Sequence, residues 1–156
     1  MNRMKWSFGR GGRWFVAMVC AALLCGACDD YRAGRELACA EKIMETDPDS
    51  ARVLLENMSA RYLMSASTFA RRSLLLGRVR DEQQKICWAT NPLTTRQWLK
   101  AQAYFDRRGT PQEQAQIRLY TGRSQTDDGD YAAATDTYKK ALSLATQIGN
   151  YALAGY

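Results

Sequence analysis

The chain has 156 residues, 22 basic against 16 acidic, for a formal net charge of +6, and it contains no histidine. A length of this order allows one domain whose core is large enough to fold without disulfide staples. The missing histidines exclude Ser-His and Cys-His nucleophile activation and imidazole metal ligation, while the positive balance points to nucleic acid only if the basic residues gather on one face.

Four of the basic residues, Arg3, Lys5, Arg10 and Arg13, fall within the first thirteen residues, where there is no acid. An apolar run of eleven residues, WFVAMVCAALL from Trp14 to Leu24, follows them. Basic head and apolar run together have the order of a secretory signal. A membrane span needs about 20 apolar residues, so the run is too short to remain in the bilayer comfortably. Removing residues 1–27 leaves 18 basic against 16 acidic residues, a net charge of +2, so most of the excess leaves with the signal.

Gly26, Ala27 and Cys28 resemble the lipobox of bacterial lipoproteins, in which a small residue precedes a cysteine that is lipidated and becomes the mature N-terminus. Cys25, which stands where that pattern usually has Leu, fits worse as the acceptor because bulky Leu23 and Leu24 precede it. The resemblance implies a lipoprotein signal over 1–27, lipidation at Cys28 and a short hydrophilic leader over 28–35. Ordinary cleavage and an uncleaved anchor are the alternatives. Of the remaining cysteines, Cys39 and Cys87 either form one disulfide or are two buried thiols on helices.

Residues 36–109 have helical period throughout. In RELACAEKIMET, Leu37, Ala40 and Met44 share a stripe, and Asp47 with Pro48 ends that helix and starts the next. Ala51, Leu54, Leu55 and Met58 then fall at i, i+3, i+4 and i+7. The longest predicted helix covers 60–86, with Tyr62, Ala66, Phe69, Ser73 and Leu76 along one side. Asn91 and Pro92 mark a break, Thr94 or Thr95 caps the following helix, and Trp98, Leu99, Ala101 and Phe105 form its burying side until Gly109.

Residues 110–149 form the most specific segment. Thr110, Pro111 and Glu113 make a capping box. Gly129 ends that helix and Asp130 caps another, predicted to bury a continuous stripe of Tyr131, Ala134, Tyr138, Ala141, Leu142, Ala145 and Ile148. Gly122 and Ala134 permit close approach of the two helices, and Tyr138 fills the gap toward a neighbour. Asn150 can cap a further helix over 150–156. No strand pattern of comparable length appears, and the periodicity predicts an all-α chain of helical hairpins in series.

With Gly122 on the conserved-pattern glycine, this segment resembles the tetratricopeptide repeat (TPR), whose pattern is W-x2-L-G-x2-Y, then A-x3-F, then P. Gly129, Asp130 and Tyr131 match its turn, Ala134 its Ala, and Tyr138 its Phe, followed by Ala141 and Leu142. Arg118, Thr121 and Gln125 depart from the first-helix pattern, and Thr146 stands near the closing Pro. A wider resemblance, carried in order by AEKIMETDPDSARVLLENM, SLLLGRVRDE, YFDRRGTPQEQAQIRLYTGR and GDYAAATDTYKKALSLATQIGNYALAG, is to a family of bacterial tetratricopeptide repeat lipoproteins. It implies antiparallel helical hairpins stacked as a TPR-like α-solenoid, with degenerate hairpins over 36–109 and one clear repeat over 110–149. Family members usually run longer, so the resemblance also implies that 150–156 begins a truncated helix.

The function implied is that of a membrane-anchored lipoprotein of the cell envelope, on its periplasmic or cell-surface side, acting as a protein-protein interaction scaffold, or the sensing part of a longer regulator. The partner is a protein or peptide. The partner-binding groove implied by the repeat comprises Gln116, Leu119, Arg123, Thr126 and Asp127, with Arg123 best suited to fork onto a carboxylate or backbone carbonyls. No enzymatic activity, cofactor or metal is expected. The carboxylate pairs Asp29 and Asp30, Asp81 and Glu82, and Asp127 and Asp128 fall at helix ends or in the leader, where acids are ordinarily solvated. Asp127, Asp128 and Asp130 lack the other spaced ligands of a calcium loop. Arg71, Arg72, Arg78 and Arg80 point to more than one side of their helix, with Arg78 within reach of Glu82, so a solvated face is expected rather than a nucleic-acid surface. An alternative function is capture of a glycan or nutrient by a surface lipoprotein, with Trp88 and Trp98 stacking on sugar rings.

Overall fold

The computed structural model describes residues 28–84 and 91–155. The described residues are all-α, with seven helices: α1 over residues 28–43, α2 Pro48–Arg61, α3 Ala66–Gln84, α4 Thr95–Arg108, α5 Pro111–Asp127, α6 Tyr131–Gln147 and the single turn α7 Tyr151–Ala154. The apolar run Trp14–Leu24 and residues Cys87 and Trp88 lie outside the described residues. Among the described residues, no helix is long and apolar enough to cross a membrane.

Side chains placed just ahead of the helices set their starts. Asp47 accepts from the Ser50 N–H at 3.0 Å, and Pro48 follows at a position where a missing N–H costs nothing. Thr94 with Gln97, and Thr110 with Glu113, form reciprocal capping boxes. Asp130 and Asn150 cap α6 and α7. Gly129 and Gly149 adopt φ of 81° and 68°, a region that favours glycine, and close α5 and α6 in the same way. After each, the next N–H reaches back to a carbonyl in the preceding helix: Asp130 to Gln125 at 2.9 Å, Asn150 to Ala145 at 2.9 Å.

Several expectations change. The leader expected over 28–35 is the first part of α1, because Ala33 and Leu37, one turn apart, are both buried and continue the stripe of Ala40 and Met44. Of the helix expected over 60–86, residues 60–61 end α2, 62–65 form a connection and 66–84 are α3, while 85–86 lie outside the described residues. Tyr62 leaves α2 in extended conformation and donates its hydroxyl to Glu36 at 2.8 Å, while the Ser65 hydroxyl accepts from the Thr68 N–H at 3.2 Å ahead of α3. Finally, α6 buries Ala134, Ala141 and Ala145, but its larger apolar residues Tyr131 and Leu142 are 68% and 50% exposed, and Ile148 is also open. Among the described residues, that helix packs on α5 on one side and meets the single turn α7 beyond, which leaves much of its other face exposed. Leu99, expected on the burying side of α4, is exposed as well, and Cys39, allowed for as a buried thiol, is exposed on α1.

Each helix packs on the next in sequence, and polar contacts fix the register. Glu36 meets Arg61 across α1 and α2; Asp49 meets Gln83, and Leu55 meets Arg72, across α2 and α3. Thr95 meets Ser124 while Asp106 meets Arg118 across α4 and α5. Rising numbers on one helix meet falling numbers on its neighbour, so consecutive helices are antiparallel. Alternate helices are parallel: Glu41 of α1 faces Arg78 of α3, and α3 in turn presents Arg78 to Gln116 and Asp81 to Arg123 of α5. The main core is one cluster drawn from α1 to α5, with Leu55, Met58, Leu76, Val79, Trp98, Phe105 and Ile117 among its buried members.

Arg72, expected on a solvated face, is buried, and its Nε donates to the Leu55 carbonyl of α2 at 2.6 Å. Burial draws its guanidinium below the ordinary arginine range, and the nearby Glu56 carboxylate acts in the other direction.

Gly77 sets the distance between α3 and α5. A Cβ built there would lie 2.3 Å from Cδ2 of the Tyr120 ring, which is buried and tied at its hydroxyl to Asp81. Gly77→Ala is therefore expected to destabilise the fold by about 1–3 kcal/mol through overpacking, despite the better helix propensity of alanine. In a Tyr120→Ala background the same change should stabilise by up to about 1 kcal/mol. Urea unfolding of the four chains checks both signs.

Candidate functional site

The parallel helices α1, α3 and α5 share a face whose seams are polar. Across the first seam, Arg78 Nη1 lies 3.6 Å from Glu41 Oε1. Across the second, Arg78 Nη2 donates to Gln116 Oε1 at 3.1 Å, and Asp81 accepts from both the Tyr120 hydroxyl, at 2.8 Å, and Arg123 Nη1. Further along, Arg80 and Asn91 both approach Asp127 Oδ2, at 3.7 and 3.2 Å. Arg123 and Asp81 are the most enclosed pair, with side chains 18% and 27% exposed, while Glu41 and Asp127 lie at exposed positions.

Helical spacing brings the groups together. Arg78 and Asp81 are three apart on α3, while Gln116, Tyr120 and Arg123 lie within two turns on α5, so each helix offers one stripe to the other. Gly77 lets the Tyr120 ring settle between the stripes, and the Arg123 guanidinium stands 5.7 Å from the centre of that ring. Burial, followed by the negative charge of Asp81 and its hydrogen bond, holds the Tyr120 hydroxyl well above the ordinary tyrosine pKa; the charges of Arg123 and Arg78 oppose this.

The five residues expected to line a groove divide between two sides of α5. Gln116, Arg123 and Asp127 face α3 through the contacts just given. Leu119, which is buried, borders an open apolar notch with Tyr138 and Leu142 of α6 and Leu153 of α7. Thr126 is exposed, donates to the Gly122 carbonyl at 3.0 Å and lies 3.4 Å from the Tyr138 hydroxyl. The helical segment thus presents a charged stripe toward one neighbouring helix and a less polar one toward the other.

Asp81, expected as a solvated acid, is the centre of the α3–α5 seam. Its partners are 39 and 42 residues away in sequence, so no local spacing announces them. Gly77 was the available signal: a glycine inside a helical pattern marks close approach by something else. The acids at the α5–α6 turn serve separate purposes. Asp127 faces Arg80 and Asn91, Asp128 accepts from the Thr95 hydroxyl at 2.6 Å, and Asp130 caps α6. Among the described residues, no group of three or more His, Cys, Asp or Glu is arranged to hold a metal ion.

Trp98 is 1% exposed, donates its indole N–H to Asn91 Oδ1 at 2.9 Å and packs against Tyr120, so its ring is not presented to a sugar. Arg71 is exposed, Arg72 is buried against α2, and Arg78 and Arg80 face the seams. Arg78 and Arg80 both face the seam with α5, while Arg71 and Arg72 lie apart from them. Cys28 is exposed at the start of α1. Comparison with known proteins returns no match to a family model, a curated protein or a solved structure.

The raised pKa of Tyr120 has a consequence for stability. The folded chain holds this proton more tightly than the unfolded chain, whose tyrosines ionise near pH 10. Stability is therefore full below about pH 10 and falls as pH rises above it. Tyr120→Phe should lower stability near neutrality by about 1 kcal/mol through loss of the bond to Asp81, and should flatten the alkaline decline. Thermal unfolding of both chains from neutral to alkaline pH measures the difference in slope.

Proposed function

We propose that this protein is a lipoprotein of the cell envelope, anchored through Cys28, whose hairpins stack as a TPR-like α-solenoid and serve as a protein-protein interaction scaffold. The observation that carries this reading is the side-by-side, parallel arrangement of α1, α3 and α5, with charged groups spanning the seams between them and half-buried at the α3–α5 seam. Stacked helical hairpins use their first helices to form an extended binding surface, and here α1, α3 and α5 take that part. An extended peptide or a partner's helix laid across them meets carboxylates and guanidiniums in alternation, which suits recognition by charge-assisted hydrogen bonds.

Support for the anchor comes from the sequence. The basic head, the short apolar run and the small residues before Cys28 occur in the order that export and lipidation require, and Cys28 is exposed at the start of α1. A single acyl chain gives only marginal membrane binding, so stable anchoring draws on more than one. The partner is a protein or peptide; the contact face, not a catalytic constellation, is the functional element.

Two measurements test the proposal. Intact mass of the membrane-extracted chain should show a mature N-terminus at Cys28 carrying lipid, and a chain beginning at Met1 without added mass would reject the anchor. Crosslinking in the native envelope should capture a specific protein whose yield drops at least about tenfold in Arg123→Ala, matching the loss of one charge-assisted contact, while Arg71→Ala, on an exposed position away from the seam, leaves it unchanged. Equal loss in both variants, or in neither, would reject the α3–α5 face as the binding surface.

A further inference from the structure

The end of the helix stack that carries Cys28 differs in charge from the opposite end. Antiparallel register gathers there the start of α1, the connection 62–65, the start of α3 and the last turns of α4. The Asp30 carboxylate, two residues after Cys28, accepts from the Ser65 N–H at 3.0 Å, which fixes the first turn of α1 beside the entry to α3. Ser65 in turn borders an open pocket of about 510 Å³ between α3 and α4, whose rim carries Lys100, Arg107 and Arg108 together with Ser67 and Tyr104.

Those three cations have no acidic partner among the described residues. Lys100 stands 4.7 Å over the Phe69 ring, Arg107 donates to the Ala103 carbonyl of its own helix, and Arg108 lies 6.0 Å from the Tyr104 ring. Of the acids at this end, Asp30 is engaged with Ser65, Glu36 with Arg61 and Tyr62, Asp106 with Arg118 and Glu113 with Thr110, and Asp29 lies beside Cys28. Arg32 and Arg35, exposed on the first turns of α1, add to the positive end. The opposite end holds Asp47 and Asp49 at the start of α2, Asp81 and Glu82 in the last turns of α3, and the acidic turn between α5 and α6.

We propose that the basic pocket between α3 and α4 takes the phosphate of an anionic phospholipid headgroup, so that the tethered protein stands on the bilayer by its Cys28 end and turns its acidic end away. The inference rests on the anchoring of Cys28 proposed above. Charge complementarity and position select a lipid headgroup over a soluble phosphate. An anchor at Cys28 holds this end at the membrane surface, where clustered basic residues are attracted to anionic lipid and acidic groups are repelled. The attraction falls off within about 10 Å in 0.1 M salt, so only groups at this end feel it strongly.

The test uses the full chain, reconstituted with its own lipid into vesicles of phosphatidylcholine or of an equimolar mixture with phosphatidylglycerol. Amide exchange of residues 100–108 and of the first turn of α3 should slow about fivefold or more on the anionic vesicles relative to the neutral ones. Lys100→Gln/Arg107→Gln/Arg108→Gln should abolish that difference while remaining vesicle-bound. Arg107→Gln/Arg108→Gln, which keeps the Lys100 contact with Phe69, should reduce it. Equal exchange on both vesicle types, or protection that survives the triple change, would overturn the proposal. So would equal protection by glycerol 1-phosphate added to neutral vesicles, since the pocket would then be a site for soluble phosphate. Intact mass of the same preparation reports separately on Cys28, so failure of the anchor and failure of the pocket are distinguished.

Discussion

A tyrosine ring laid against a glycine backbone governs this structure. At Gly77 the ring of Tyr120 occupies space that any side chain would fill, and the hydroxyl at its far edge reaches Asp81 on the next turn of the same helix. One residue of α5 is thus held by α3 at two points, through packing at the ring and hydrogen bonding at the tip. Aromatic residues with a polar end suit such a position, where one edge is dry and the other meets a charged group. The spacing of α3 and α5 follows, and with it the reach of Arg123 to Asp81 and of Arg78 to Gln116. A similar pairing recurs between Gly122 and Tyr138, where a Cβ would lie 2.6 Å from the ring. That ring is only half-buried and its hydroxyl finds Thr126 at 3.4 Å, so the second clasp is the weaker.

Half-buried charges on the α1, α3 and α5 face have a different character from surface ion pairs. A pair in open water contributes little because solvent screens it and long side chains must be ordered to form it. Here Asp81 is fixed by two donors and Arg123 is confined over a ring, so the ordering has largely been met by the fold. Such pre-set groups are suited to recognition, since binding then costs little further side-chain entropy. Arg72 illustrates the contrasting case: its guanidinium is enclosed by α2 and α3 and satisfies backbone carbonyls, which makes it part of the frame.

Much of the helical order was legible in the sequence because its signals are local. Thr110-Pro111 with Glu113, Asp47-Pro48, and the glycine-Asx pairs at 129–130 and 149–150 each fix a boundary within a few residues of themselves. Where local signals competed, tertiary contacts decided. Tyr62 fits a helical stripe by spacing, but its hydroxyl bonds Glu36 and the chain turns there. Tyr131 and Leu142 fit the stripe of α6 by spacing too, yet burial needs a neighbour, and periodicity says nothing about whether one is present. The α3–α5 seam was legible only in outline. Arg123 stood out by chemistry, whereas Asp81 looked like a solvated acid because its partners lie a whole hairpin away.

The alanine face of α6 joins its neighbour in a different way from the helices before it. Ala134, Ala141 and Ala145 offer little interlocking bulk, while the earlier helices are keyed by Trp98, Phe105 and Met58. Because close approach rather than interlocking bulk joins α6 to α5, enlarging any of these three alanines would push the two helices apart, whereas the keyed layers hold by shape.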